Sequence, residues 1–408
     1  MHIHPILSSL RKHKIAALLI VLEIAFSCAV VCNALFLINL RLERMQRPTG
    51  AVEQQIVQLR IRSVDRKDDS AALTREDLDA LRRIPGVRNA SVVNQPLFGS
   101  TVGSSGISLS ADQQRSTLRA TNYFGDAQLL DTLGLTLVAG RRFNADEFLD
   151  YARLQDPNDK GTLPAVILSQ ALAQRLFPDG TALGRSIHVF GEHRIVGIVQ
   201  RLVQPRDFGT AADYEDAMLF PVNMPYTNGT YLLRVDDPAQ REAVLKQART
   251  ALLAHGPRRM VQNKDSRTLQ EARAAYYRND RSMAWLLVGV CVALLMITAL
   301  GIVGLTSFWV QQRTKQIGIR RALGATCRQI LLHFQTENFL LASTGIVLGM
   351  LLAYTANLWL MNAYELPRLP LWYLPVGALA LWLLGQLAVL GPARRATRVP
   401  PAVATRSA

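Results

Sequence analysis

The 408-residue chain has little charge, few cysteines and none of the short motifs that mark common enzymes. Charged residues make up 19% of it, against about 25% in an ordinary soluble protein. The apolar residues, 49% of the chain, are gathered into long runs. The four cysteines are Cys28, Cys32, Cys291 and Cys327, and none falls between residues 41 and 281. That stretch must be held by an apolar core of its own, since it has no disulfides to use. No G-x-x-x-x-G-K-[ST] phosphate loop, H-E-x-x-H, G-x-S-x-G or paired C-x-x-C is present. The seven histidines are scattered, and His188 and His193 have no further ligands beside them. Neither catalytic nor metal-binding residues are expected.

What is present excludes a soluble cytosolic enzyme. Residues 15–40, 283–310, 339–359 and 372–390 form four apolar windows, each near or above the roughly 20 residues that cross a bilayer core. The expected organisation is an N-terminus (1–14), transmembrane helices at 15–40, 282–310, 336–360 and 372–390, a large segment (41–281) between the first two, a connecting segment (311–335), a short loop (361–371) and a basic tail (391–408). The first run exceeds the 7 to 15 residues of a cleaved signal core and is followed at once by Arg41 and Arg44, so a retained anchor is expected.

The chain is basic, with 46 Lys+Arg against 31 Asp+Glu. Residues 41–281 hold 33 of these bases and 28 of the acids. Much of the remaining excess is Arg11, Lys12 and Lys14, then Arg313, Lys315, Arg320, Arg321 and Arg328, then Arg394, Arg395, Arg398 and Arg406. By the positive-inside rule both termini and 311–335 are cytoplasmic and 41–281 is outside. The basicity thus reflects topology, and no nucleic-acid partner is expected.

The outer segment alternates extended runs (55–64, 87–95, 165–168, 193–199, 217–222, 230–235) with helical patterns, which argues for an α+β domain. Thr74 and Asp77 have the spacing of a capping box opening a helix to Arg83. Ser169 is placed to cap a helix to Phe177, and residues 238–254 read as a longer helix with Gly256 beyond its end. Two lobes are expected, 52–121 and 122–201, with a return to the first over 202–264. Residues 266–281 carry no strong breaker and should form a stalk helix continuous with the second span, with Asn279-Asp280 the weakest point.

Inside the membrane, Glu23 sits about midway along the first span, an expensive position for a charge. Gly345, Gly349 and Ala353 place small residues on one face of the third span, as at a close helix interface. Between the second and third spans, residues 311–334 combine bases with Ile317, Ile319 and Leu323 in a short helix-compatible stretch. Gly324 suits its stop, and Thr326 with Gln329 can cap the next helix. From these residues alone, a basic membrane-surface helix and a docking element for a cytoplasmic partner are equally compatible.

Lys315, Gln316, Ile317, Gly318, Ile319, Arg320, Arg321, Ala322, Leu323, Gly324 and Ala325 closely follow the form ERTREIGIRRALGA and resemble the signature of MacB/FtsX-type (type VII) ABC transporter permeases. Gly140, Arg141, Arg142 and Phe143, the stretches 165–187 and 195–199, and the tail 392–406 are similar to the same family, in order along essentially the whole chain. The resemblance implies that 315–325 is a coupling helix docked on an ABC ATPase. It implies four transmembrane helices with a MacB-type α+β periplasmic domain, and a permease dimer, homomeric or heteromeric, in a bacterial inner membrane. ATP and Mg would be bound by the partner ATPase, whose motion reaches the periplasmic domain by mechanotransmission. A periplasmic adaptor and an outer-membrane channel are implied partners, with antibiotics, peptides or similar compounds as cargo. A lipoprotein-releasing permease and a non-transporting activator of a cell-wall hydrolase are the alternatives. Gln312 and Gln316 stand where the family has glutamates, and Glu337 matches an acid often found at the start of the third span.

Overall fold

A computed structural model describes residues 14–64, 69–99, 102–156, 162–207, 213–254, 258–364 and 368–397. Arg11, Lys12, Arg398, Arg406 and the expected helix stop at Gly256 lie outside them. The chain divides into two compact units, Met1–Gln46 with Asn279–Ala408, and Arg47–Arg278.

In chain order the elements are α1 (Lys14–Gln46), β1 (Ile56–Leu59), β2 (Ile61–Ser63), α2 (Ser70–Arg82), β3 (Val87–Val93), β4 (Ser104–Ile107), β5 (Leu118–Gly125), α3 (Leu129–Leu133), β6 (Leu137–Gly140), β7 (Leu149–Asp150), α4 (Tyr151–Gln155), β8 (Ala165–Ser169) and α5 (Gln170–Leu176). They continue as β9 (Ser186–His188), β10 (Glu192–Val199), β11 (Ala217–Asn223), β12 (Thr230–Val235), α6 (Arg241–Ala254), β13 (Arg259–Val261), β14 (Arg267–Thr268), α7 (Leu269–Tyr276), α8 (Arg278–Gln312), α9 (Thr314–Ala322), α10 (Cys327–Tyr364) and α11 (Tyr373–Thr397).

Among the described residues of the first unit, four helices are long and apolar enough to cross a membrane: α1, α8, α10 over Cys327–Trp359, and α11. Helix α10 packs against both α1 and α11. Their shared core takes Ile24 and Cys28 from α1, Ile302 and Trp309 from α8, Ile346 from α10 and Leu381 from α11. Other large apolar side chains, among them Leu18, Leu286, Leu300, Leu351 and Leu383, point outward. Helices apolar on nearly every side are stable only where lipid covers that outer surface.

The second unit is built on one mixed sheet in the order β14-β1-β12-β3-β5-β11-β8-β10-β6, with β4, β7 and β9 paired at its sides. All four residues of β1 are buried, including Gln58, so β1 reads as a continuous run without the alternation of a one-sided strand. β12 runs antiparallel to both of its neighbours, β1 and β3, while β5 runs parallel to β11 and β8 to β10. Leu78 and Leu81 of α2 and Val244, Ala248 and Leu252 of α6 close over Val57, Leu59 and Leu233. Each buried Leu or Val contributes about 1.5 to 3 kcal/mol, which makes this core the main favourable contribution in a unit without cysteine. The α+β expectation holds.

Three local expectations are corrected. The extended run over 55–64 breaks at Arg60, because β1 pairs with β12 while β2 pairs with β13. The lobe boundary expected at Asn122 falls inside β5, where Asn122 pairs with Met218, so hydrogen bonding is unbroken across it. Helix α2 starts at Ser70, with the Asp69 carboxylate accepting from Ala72 N at 3.0 Å. Thr74 and Asp77 instead face inward. Thr74 Oγ1 accepts from Tyr226 N at 2.9 Å, and Asp77 pairs with the buried Arg259, 182 residues away. Ser169, by contrast, caps α5 as expected, accepting from Leu172 N.

The stalk differs as well. Arg267 and Thr268 are strand residues paired with Gln58 and Val57, and the helix begins only at Leu269, under a Thr268/Glu271 capping box. It is interrupted at Tyr277 (φ −88, ψ 15), and α8 starts at the next residue. At the break Tyr277 is buried, with its ring against Tyr276 and Phe98 at centroid distances of 4.8 and 6.0 Å. Asn279 and Asp280 lie inside α8, and Asp280 accepts from Arg41 Nη1 at 2.6 Å.

Candidate functional site

The segment between α8 and α10 gathers the sequence-predicted coupling residues. At Arg313 (φ −100, ψ 9) the chain leaves α8 and enters α9. Gly324 takes φ +98, a left-handed conformation that glycine adopts without strain. Gly324 N then donates to Arg321 O at 3.1 Å and Ala325 N to Arg320 O at 3.0 Å, satisfying the last carbonyls of α9. Thr326 Oγ1 accepts from Gln329 N and Gln329 Oε1 from Thr326 N, the reciprocal cap legible in the sequence.

Three anchors seat α9 on the helices. Ile317 and Gly318 are buried, and Ile317 joins the core containing Ile330 and Phe334. Arg313 Nη1 donates to both carboxylate oxygens of Glu337, at 3.2 and 3.0 Å, with its guanidinium 5.7 Å from the Trp309 ring centroid. Arg321 Nη1 donates to Thr397 O at 2.9 Å, tying the end of α9 to the end of α11. The opposite face is open: Lys315, Gln316, Ile319, Arg320, Ala322, Leu323 and Gly324 are exposed, Leu323 to 83%. The site therefore has a fixed apolar back and a free face of two apolar side chains flanked by bases. Gln312 is exposed too.

Sequence reasoning placed Glu337 but gave it no role, and it missed Arg313. The signal was a base and an acid bracketing a short helix at the ends of two spans. Arg321 to Thr397 O had no sequence signal, since its acceptor is a backbone carbonyl.

The small-residue face of α10 lies against α1 of the same chain. A Cβ on Gly349 would stand 2.5 Å from Cys28 Cβ and 2.6 Å from Ala25 O, and one on Gly345 would stand 2.9 Å from Ile24 Cβ. Asn33 Nδ2 donates to Ala353 O at 3.0 Å, completing that contact. Glu23 faces α8, where a Cβ on Gly301 would lie 2.5 Å from its Oε2. One turn on, the Ser27 and Thr298 hydroxyls are 2.8 Å apart.

Elsewhere the titratable groups are structural. Arg259 (Nη1 and Nη2), Asp77 and Tyr231 OH form a buried network closed by Arg259 Nη2 donating to Leu252 O. Asp216, wholly buried and paired with Arg175, has its carboxyl pushed up to about 6 by burial. His193 Nδ1 lies 2.5 Å from Leu163 O and its Nε2 accepts from Phe190 N at 3.2 Å; burial pushes its pKa down, so it is a neutral imidazole. Among the described residues no group of three or more His, Cys, Asp or Glu could hold a metal ion.

Residues 17–251 match the MacB-like periplasmic core domain, and residues 288–401 match the FtsX-like permease C-terminal domain. An ABC transporter permease of Bacillus subtilis, YvrN, is 26% identical over 294 residues, covering 70% of this chain and 69% of that protein. The macrolide export ATP-binding/permease protein MacB of Azoarcus sp. is 26% identical over 361 residues, 84% of this chain and 49% of that protein, so the chain spans about half its length. The crystal structure of the extracellular domain of the ABC-type transporter YknZ covers 51% of this chain and all of its own, at 18% identity and a TM-score of 0.32.

Proposed function

The chain belongs to the family of MacB-like ABC transporter permeases, and from that premise we propose that it is the permease subunit of an ABC exporter, transmitting the motion of an ATPase to its extramembrane domain. The observation that carries this reading is the free face of α9. Ile319 and Leu323 project beside Lys315 and Arg320 from a helix whose back is fixed by Ile317 and by Arg313 on Glu337. A seated helix with one open apolar face moves together with the spans when a partner pushes on it. That favours the docking element over a helix lying loose on the membrane surface.

In this reading ATP and Mg are bound by an ABC ATPase partner, and these 408 residues themselves contain no phosphate-binding loop. The bases at 313–328 and 394–395 support a cytoplasmic location for this face in a bacterial inner membrane, with the 41–281 segment in the periplasm. Antibiotics, peptides or similar compounds are the proposed cargo, and the permease works as a dimer with a periplasmic adaptor and an outer-membrane channel. Mild-detergent purification of a tagged chain tests this. An ABC ATPase recovered with wild type and lost with Leu323→Glu supports it; undiminished recovery with the variant counts against α9 as the docking element.

A further inference from the structure

A cavity of about 570 Å³ opens in the second unit between β5, α4 and the turn joining β9 to β10. Its size falls within the roughly 300 to 1,000 Å³ of small-molecule sites. Phe124 and Phe190 form its aromatic wall, their ring centroids 6.1 Å apart, and Phe190 is backed by Phe220 at 5.7 Å. Phe190 is nevertheless 50% exposed, at a turn whose backbone is fixed by the bond from Phe190 N to His193 Nε2. An aromatic ring on a tethered turn, left half open over a cavity, is an apolar contact surface with little entropy left to lose.

The charge of the lining sets the class of ligand. In a chain of net charge +15, no Lys or Arg is among the described residues that line this cavity. Glu192 is the one carboxylate among those described residues, and it is exposed. His193 adds no positive charge, since one ring nitrogen accepts from Phe190 N and the other lies against Leu163 O. Aromatic faces attract cations through the negative charge of their π-systems, and a single carboxylate at the mouth adds to that preference.

We propose that this cavity binds an amphipathic organic cation, its flat apolar body against Phe124 and Phe190 and its positive group toward Glu192. The proposal deepens the exporter reading by naming a ligand class, and it rests on that reading for the ligand being cargo. The test uses the full-length protein in nanodiscs without ATPase, so that it can fail or succeed independently of docking at α9. The probes are rhodamine 6G, an aromatic cation, and fluorescein, an anion on the same three-ring framework, read by fluorescence polarisation with empty nanodiscs subtracted. Rhodamine 6G should bind more tightly than fluorescein. Glu192→Gln, a surface change with no fold risk, should weaken rhodamine binding about threefold. Phe190→Ala should weaken it about tenfold. Equal binding of the two dyes, or wild-type rhodamine affinity in both variants, overturns the proposal.

Discussion

Arg313 and Glu337 meet across the 24 residues between the end of the second span and the body of the third, with one guanidinium nitrogen held by both carboxylate oxygens. Glu337 is 1% exposed, so the pair is nearly withdrawn from water. Removing one member of such a pair leaves the other buried and unmatched, which costs about 3 to 5 kcal/mol. Glu337→Ala should therefore lower the thermal midpoint of the detergent-solubilised protein. Adding Arg313→Met should recover part of the loss, and a double variant no better than the single would show that the pair is not what Glu337 contributes.

A second ion pair gives an independent check in the extramembrane unit. Asp77 and Arg259 join α2 to β13, and Tyr231 OH also donates to Asp77. Asp77→Ala is expected to cost about 3 to 5 kcal/mol in unfolding experiments. Tyr231→Phe should cost about 1 to 2 kcal/mol. Equal losses would mean that the hydroxyl, not the charge pair, dominates.

Asp216 should make stability depend on pH. Its carboxyl is raised to about 6 by burial, against about 3.9 in the unfolded chain. The folded state therefore holds the proton more tightly, and this contribution is complete below about pH 4 and lost as pH rises through about 6. The difference in thermal midpoint between wild type and Asp216→Asn should shift in favour of the variant from pH 4 to pH 7. A difference flat across that range would rule out Asp216 as the responsible group.

The glycine face of α10 predicts damage within one chain. Gly349→Leu would drive a side chain into Cys28 and Ala25 of α1, where even a Cβ stands 2.5 Å from its neighbour. Overpacking of this kind costs about 1 to 3 kcal/mol or more. A lowered thermal midpoint should appear with the oligomeric state unchanged by cross-linking. A variant of wild-type stability with a changed oligomeric state would place this face between chains instead.

The spans, the Ser169 and Thr326 caps and the turn at Gly324 were legible because each rests on residues within a few positions of one another. The strands at 217–222 and 230–235 were legible for the same reason. Their partners were not, because nothing local in Asn122 announces that it will lie beside Met218. Thr74 and Asp77 show the competing principle at work: they satisfied a local capping pattern, yet Tyr226, Tyr231 and Arg259, distant in sequence, took both side chains. At the candidate site the helix and its stop were readable, but not that Ile317 would be buried while Ile319 and Leu323 stay exposed. Nor was the anchoring of Arg321 on a carbonyl at Thr397, since every residue offers the same acceptor.

The pairing of β1 with β12 also bears on how the protein is made. The register from Ile56 with Arg234 to Leu59 with Tyr231 joins one of the earliest extramembrane segments to be synthesised to one of the latest. At 5 to 20 residues per second, the ribosome needs on the order of ten seconds or more to deliver the partner. During that interval an apolar strand, buried on both faces in the finished protein, has an unpaired edge. The emerging chain thus carries an aggregation-prone edge until β12 arrives, and the abundance of destabilised variants should depend on the chaperones that meet it.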